Sequence, residues 1–403
     1  MTAGANKPFG LIEEGAVAAQ DGTIAWIGAE SALPGAPATC ARAVHDLGGG
    51  LLTPGLVDPH NHAVYYGDAL GDFELLTQGG TRADMIAAGG GVGGLVRQTR
   101  AASDEQIYAA SAARVAKLIT SGMTTLESKS GAGLDLETEL RCLRIGRELG
   151  RTLPVRIVTT FLGAHGLAPE YRGRPDDYID HLCRVVLPAA VEEGLVDQVD
   201  GFCDSTGFSH AQITRLFETA RAHGLPVKLH AEQYRDFRAA DLVAQFKGLS
   251  ADHLEFAGEA TIRAMADADT VATLLPGAHW TMAETQRPPV ALFRRYGVKM
   301  ALATNCNPVS SHTCSPTMMM NMACRMFRLT TEEALAGFTR NGAKALGVLD
   351  SRGTLEVGKL ADFAIWDVDK PGELAYRIAD NPCHEVIQSG RPVYRAAPIA
   401  FLA

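Results

Sequence analysis

The 403-residue chain has no surplus of positive charge: 37 Lys and Arg against 46 Asp and Glu leave a formal net charge of -9. A polyanion-binding groove needs a basic face, so no nucleic-acid partner is expected. There is no run of about 18 apolar residues, the length a membrane helix requires, and no charged start followed by an apolar core that would mark a secretion signal. No membrane partner is expected, and a cytoplasmic location is. The eight cysteines, Cys40, Cys142, Cys183, Cys203, Cys306, Cys314, Cys324 and Cys383, include no C-x-x-C pair. That spacing reads as reduced, mostly packed thiols rather than a disulfide frame. Internal repeats, low-complexity tracts and obvious flexible linkers are also missing, which argues against independent modules.

What is present is a composition that folds: 46% hydrophobic and 21% charged residues, enough chain for one large core or two smaller ones. Both ends read as short β structure. Residues 14–28 place two apolar runs around Asp21-Gly22, a dipeptide that favours hairpin turns. Residues 353–366 and the later VIQSGRPVY again suggest short strands parted by glycine. Between the ends, β-rich runs alternate with helical stretches, including residues 104–120 and 210–223. Eight candidate strands can be counted there: LLTPGLVD, GMTTLES, PVRIVTTFLG, VDQVDGFCD, PVKLHAE, SADHLE, DTVATLLPG and VKMALATN. Eight β-α pairs predict an α/β fold closed into a TIM (β/α)8 barrel, with a doubly wound open sheet as the alternative.

Groups able to ligate a metal recur just after these strands, where a barrel places its active site. The first strand runs into Asp58-Pro59-His60-Asn61-His62, and alternate side chains of extended backbone share a face, so both imidazoles can reach one ion. The fifth ends in Lys228-Leu229-His230, a third nitrogen from across the barrel. Taken alone, each histidine is better explained as a solvated, hydrogen-bonded or structural residue. Three from two strand ends of one barrel make a metal centre the better reading. His165 after the third strand and His253 after the sixth are free to bind substrate or move protons.

Several other features have quieter readings. Glu127 and Lys129 are expected to form a structural ion pair, and Met318, Met319, Met320 and Met322 to fill the core. The glycine run Gly89–Gly94 lacks the lysine of a phosphate-binding loop and reads as a flexible loop beside the site. His312 and Cys314 could line the pocket, whereas His181 and His279 have no supporting constellation.

The phrases TPGLVDPHNH, DHLE, ATNCNP and VGKLADFAIWD, with the His230 strand, together resemble the amidohydrolase superfamily. Within it, AAGGGVGG, TLESKSGAGLDLETEL, FLGAHGLAPEY, DGFCD, LPGA and NMACRMFRLTTEEALAGFTRNGAKALG resemble the imidazolonepropionase family over nearly the whole chain. The resemblance implies a distorted TIM barrel over residues 53–351 and a small β-sandwich built from residues 1–52 and 352–403. It implies one zinc or iron ion on His60, His62 and His230, with Asn305 at the fourth position, and His253 beside the reacting group. His165, Gln233, Asn307 and Ser310 would contact a small cyclic amide opened by a metal-activated water. A homodimer is expected on the same ground.

Four positions depart from the family pattern, and all fall in the site. Asn305 stands where the family has an aspartate, and an amide coordinates through oxygen but does not serve as a base near neutral pH. Ala69 replaces the arginine expected to clamp a substrate carboxylate, Ala132 replaces a tyrosine, and Val309 replaces a glycine. Losing a bidentate contact worth a few kcal/mol predicts a ring substrate less anionic than imidazolone propanoate, unless Arg82, Tyr65 or Tyr66 compensates. The alternatives are imidazolonepropionase proper, a ring deaminase, or a ligand-binding form impaired by Asn305.

Overall fold

The computed structural model describes residues 7–397. An N-terminal hairpin pairs β1 (Gly15–Gln20) with β2 (Thr23–Ala29). Asp21 and Gly22 make its turn at φ 51° and 82°, the positive values that a tight hairpin turn demands. β3 (Leu51–Pro54) follows and then, after one residue, β4 (Leu56–Asp58).

Expected as one strand, LLTPGLVD is thus two strands serving two sheets. Pro54 and Gly55 break it, and Gly55 is required there because a Cβ would sit 2.2 Å from Thr124 Oγ1. β3 joins an antiparallel sheet, whereas β4 opens the barrel.

The barrel continues through β5 (Met123–Lys129), β6 (Arg156–Ala164), β7 (Gln198–Cys203), β8 (Leu229–Ala231), β9 (Ser250–His253), β10 (Val271–Leu274) and β11 (Met300–Leu302). Neighbours pair in parallel and in sequence order from β4 to β11. No ladder joins β11 back to β4. The seam is drawn together by Asn305 N–H donating to the His60 carbonyl at 2.9 Å, and by Thr304, whose N–H reaches Asp58 Oδ1 at 3.0 Å. The result is a nearly closed α/β barrel.

Helices wrap the barrel where their sequences dictate. Asp104–Ile119 starts in a capping box between Ser103 and Gln106, and His210–Ala222 in one between Ser209 and Gln212. The glycine run does not form the expected loop: Gly91 opens a helix that extends to Ala101, with Gly91, Gly94, Leu95 and Val96 buried. Pro316–Met322 is helical, and Met319, Met320 and Met322 are in the core as expected. Among the described residues, no helix is long and apolar enough to cross a membrane.

β12 (Phe363–Trp366), β13 (Cys383–Gln388) and β14 (Arg391–Arg395) complete a four-stranded antiparallel sheet in the order β14-β13-β12-β3. Residues 353–358 add no strand, contrary to expectation; the chain there makes only a single bridge residue, Leu355, and a turn before the isolated bridge between Leu360 and Thr23. Ile24, Leu355, Ala361 and Phe363 form an apolar layer that Val17, Ile27, Leu52 and Ile387 flank, joining the hairpin to the sheet. The indole of Trp366, fully buried, donates to Thr53 Oγ1 at 2.8 Å and lies against Gly122, where a Cβ would meet the ring at 2.4 Å. That contact fixes the small sheet domain to the N-terminal start of β5.

Candidate metal centre

Five imidazoles converge at the C-terminal ends of the barrel strands. The His60 ring centroid lies 5.1 Å from His62, 4.4 Å from His230 and 6.0 Å from His253, while His165 stacks on His62 at 5.2 Å. The backbone alternation expected after β4 therefore brings His60 and His62 to one point, and β8 supplies His230 from across the barrel. A ligand nitrogen from each of these three falls within 4.8 Å of the others. His60 Nε2 and His62 Nε2 are 3.1 Å apart, close to the spacing of about 3.4 Å that two nitrogens adopt on one tetrahedral zinc.

The opposite ring nitrogens test whether a cation fits. Metal-bound histidines characteristically give their second N–H to a carboxylate, which fixes the tautomer and aims the other nitrogen at the ion. His60 Nδ1 lies 2.6 Å from Asp252 Oδ2, and both are fully buried. His230 Nδ1 is 3.1 Å from Asp200 Oδ2, although not aligned for a good hydrogen bond. Burial, with Lys129 next in weight, holds His60 well below the usual imidazole range. Burial and then His165 do the same to His62. Both rings are neutral at pH 7, the form that ligates, so the donor set fits a divalent cation.

Beneath the histidines runs a buried charge network. Lys129 Nζ contacts Asp200 at 2.6 Å and Glu127 at 2.9 Å; Lys228 Nζ contacts Glu127 at 3.1 Å and Asp252 at 3.3 Å. The Glu127–Lys129 pair is thus part of a larger lattice. Burial alone would lower the Lys129 ammonium, but Asp200, Glu127 and Asp252 outweigh it and raise the group above its ordinary value. Three carboxylates against two ammoniums leave one negative charge, which favours a cation above it. Asp200 and Asp252, the carboxylates behind two of the rings, are positions that sequence reasoning did not single out. The available signal was an aspartate inside an apolar strand, because such a residue is rarely buried unless paired.

The remaining expected residues occupy distinct places. His253 follows directly at the end of β9 with φ 83°, and Leu254 with φ 67°, a costly conformation for non-glycine residues. Burial, then His230, keeps the His253 imidazole well below its usual range. His253 Nδ1 is 3.9 Å from Glu255 Oε2, and both atoms are buried without a hydrogen-bond partner. Burial pushes the Glu255 carboxyl up to about 8. His165 Nδ1 is 3.2 Å from the Gly131 carbonyl, next to Ala132; burial, then His230, lowers its pKa to about 4.

Asn305 sits at φ 49°, tolerable for asparagine, and its Nδ2 donates to Ser310 Oγ at 3.4 Å. Asn307 shapes the loop: its Oδ1 accepts from the N–H groups of Val309 at 2.9 Å and Ser310 at 2.7 Å, and its Nδ2 donates to the Asn305 carbonyl at 2.6 Å. Gln233 is buried just after β8. Ala69 lies half-buried at the start of the helix Leu70–Thr77. Arg114 is committed elsewhere, donating to the Ala63 carbonyl at 2.9 Å and to the Tyr65 carbonyl, with its guanidinium over the Tyr65 ring. The Arg82 side chain lies outside the described residues. His312 is exposed, His279 bonds to the Gln286 carbonyl, and His181 stacks on Tyr171.

Comparison with known proteins gives a consistent picture. The amidohydrolase family model matches residues 90–394. The imidazolonepropionase of Ralstonia nicotianae is 52% identical, covering 95% of this chain and 94% of its own, and that of Caulobacter vibrioides is 50% identical with the same coverage. Among solved structures, the 5-methylcytosine deaminase of Klebsiella pneumoniae shares the fold with a TM-score of 0.74, at 16% identity and 96% coverage of both chains.

Proposed function

We propose, from the premise that this chain belongs to the amidohydrolase family, that it is a metal-dependent hydrolase opening the C–N bond of a cyclic amide of the imidazolone type. One observation carries this reading: His60, His62 and His230 offer nitrogens to one point while Asp252 and Asp200 stand behind two of the rings. The chain would hold one zinc or iron ion on those three histidines, with the Asn305 amide oxygen available as a fourth donor. Such an ion supplies an acidified water and polarises a ring carbonyl.

The protein's own groups account for the rest. Asn305 cannot take a proton from water near neutral pH, so that task falls to the neutral imidazole of His253. With its Nδ1–H on the Gly131 carbonyl, His165 presents Nε2 as an acceptor for a ring N–H. Gln233 and Ser310 complete the polar lining, and Asn307 holds Ser310 in place.

Selectivity follows from what the wall lacks. Ala69 and Ala132 provide no charged or phenolic contact, Val309 adds bulk, and Arg114 is already occupied by main-chain carbonyls. A ring less anionic than imidazolone propanoate fits best. Imidazolonepropionase activity proper is the second reading, favoured by 52% identity over nearly the full length of a curated relative. A homodimer acting in the cytoplasm accompanies either reading.

Metal-loaded protein offered imidazolone propanoate beside neutral imidazolones and hydantoins, with products weighed by mass spectrometry, tests this. Ring-opened product from the neutral compounds at the higher kcat/KM is expected. Faster opening of imidazolone propanoate selects the second reading, and ammonia release with an intact ring points to a deaminase. If no ring opens, Asn305→Asp decides: turnover about 10²-fold or more above the detection limit, the scale of an added general base, identifies an impaired hydrolase.

A further inference from the structure

Two thiols in the segment after β11 stand apart from the machinery above. Cys306 Sγ and Cys314 Sγ are 3.6 Å apart, in direct contact, although eight residues separate them in sequence. The intervening chain folds back on itself through the bridge between Asn307 and Ser311, and Ser311 Oγ donates to the Thr304 carbonyl at 2.6 Å. Cys306 is buried, whereas Cys314 is partly exposed. All eight cysteines are free thiols, and Cys40, the exposed one, turns to the Gly35 carbonyl.

We propose that Cys306 and Cys314 form an oxidant-sensitive dithiol that closes to an intramolecular disulfide under hydroperoxide and pins the loop bearing Asn307 and Ser310. The partly exposed Cys314 is the entry point. Its thiolate attacks the terminal oxygen of the hydroperoxide: the O–O bond breaks, an alcohol (or water, from hydrogen peroxide) leaves, and Cys314 becomes a sulfenic acid. The Cys306 sulfur then attacks the Cys314 sulfur, the S–S bond forms, the S–O bond breaks and water leaves. In total, two thiols lose two electrons and two protons to the peroxide. The pair is disposed to this order. The Cys306 thiol can donate to the Cys314 sulfur, which lowers the Cys314 pKa from its ordinary value, and Lys117 and Arg114 add to the effect.

A disulfide places its sulfurs about 2.05 Å apart, so closure from contact distance requires side-chain rotation and a small loop adjustment. The closed ring fixes the loop that positions Ser310 beside Asn305, and a thiol reductant reverses it. Oxidation is therefore expected to change the site without removing any of its residues.

The experiment uses the full chain as purified. Hydrogen peroxide treatment, alkylation of the remaining thiols and tryptic mass mapping should yield the peptide 300–325 with an internal Cys306–Cys314 disulfide, 2 Da below the same peptide with both thiols free and unalkylated there, abolished by dithiothreitol. Phenylarsine oxide, which bridges neighbouring thiols, should bind at one equivalent to the reduced protein and not to Cys314→Ser. Free Cys306 and Cys314 after peroxide, their conversion to sulfinic acids, or phenylarsine oxide binding equally to Cys314→Ser would each overturn the proposal. These readouts need no turnover, so they stand whatever the substrate proves to be.

Discussion

Replacing Asp252 with asparagine keeps the side-chain shape and removes one charge from beneath His60. Its Oδ2 lies 2.6 Å from His60 Nδ1 and 3.3 Å from Lys228 Nζ, so the change touches both a ligand's orientation and the buried lattice. Losing a carboxylate behind a metal-bound histidine typically weakens metal affinity 10- to 100-fold, which is about 1.4–2.7 kcal/mol. The lattice, with three carboxylates and two ammoniums, goes from one net negative charge to none, in the same direction. Breaking a buried pair also destabilises the fold, by about 3–5 kcal/mol, which on its own would obscure the result. Lys228→Met separates the two effects. It breaks the same contact at comparable cost to stability, yet leaves His60 its partner and makes the lattice more negative. Competition against a chelator on folded protein at low temperature should therefore show affinity falling at least tenfold in Asp252→Asn and holding or rising in Lys228→Met. Equal losses in both variants, or wild-type affinity in Asp252→Asn, would refute an orienting role for Asp252.

Other outcomes follow from the same geometry. Gly55→Ala forces a Cβ to within 2.2 Å of Thr124 Oγ1, and overpacking of this kind should destabilise by about 1–3 kcal/mol, read as a lower Tm with the barrel-to-sheet junction as its origin. The Glu255 carboxyl, pushed by burial to about 8 from an ordinary 4.5, binds its proton more tightly folded than unfolded. Its contribution to stability is present in full below pH 4.5 and is lost as pH rises through about 8. Denaturation of metal-free Glu255→Gln across that range should accordingly show a shallower loss of stability than wild type, and an unchanged slope would contradict the assignment. Glu139 accepts the N–H groups of Gly131, Gly133 and Leu134 at 2.8–3.1 Å. Glu139→Leu should therefore disorder the loop that aims His165, with a loss of at least 1 kcal/mol in stability by thermal melting.

The barrel was legible in the sequence because eight apolar β runs alternate with helical stretches, and the stretches read at 104–120 and 210–223 are helices over Asp104–Ile119 and His210–Ala222. The split of LLTPGLVD was not, since nothing in those eight residues shows that Thr124 closes over Gly55 from another strand. The glycine run misled for a related reason: Gly91 and Gly94 lie buried within a helix, and tertiary burial overrode their poor helix propensity. The three candidate ligands and the two further histidines could be read from strand-end positions. Asp200 and Asp252, which stand behind two of them, could not be paired with particular rings, because His60 and Asp252 are 192 residues apart and meet only when the barrel curves round. The thiol contact at Cys306 was likewise hidden, because it depends on how one loop doubles back.

Cobalt(II) titration of the metal-free protein, followed by visible absorption, tests the central claim most directly. One equivalent should saturate a nitrogen-ligated spectrum in wild type, and His60→Ala, His62→Ala and His230→Ala should each lose that spectrum while keeping a folded circular dichroism profile. A spectrum that survives in all three variants, or none in wild type, would contradict the account.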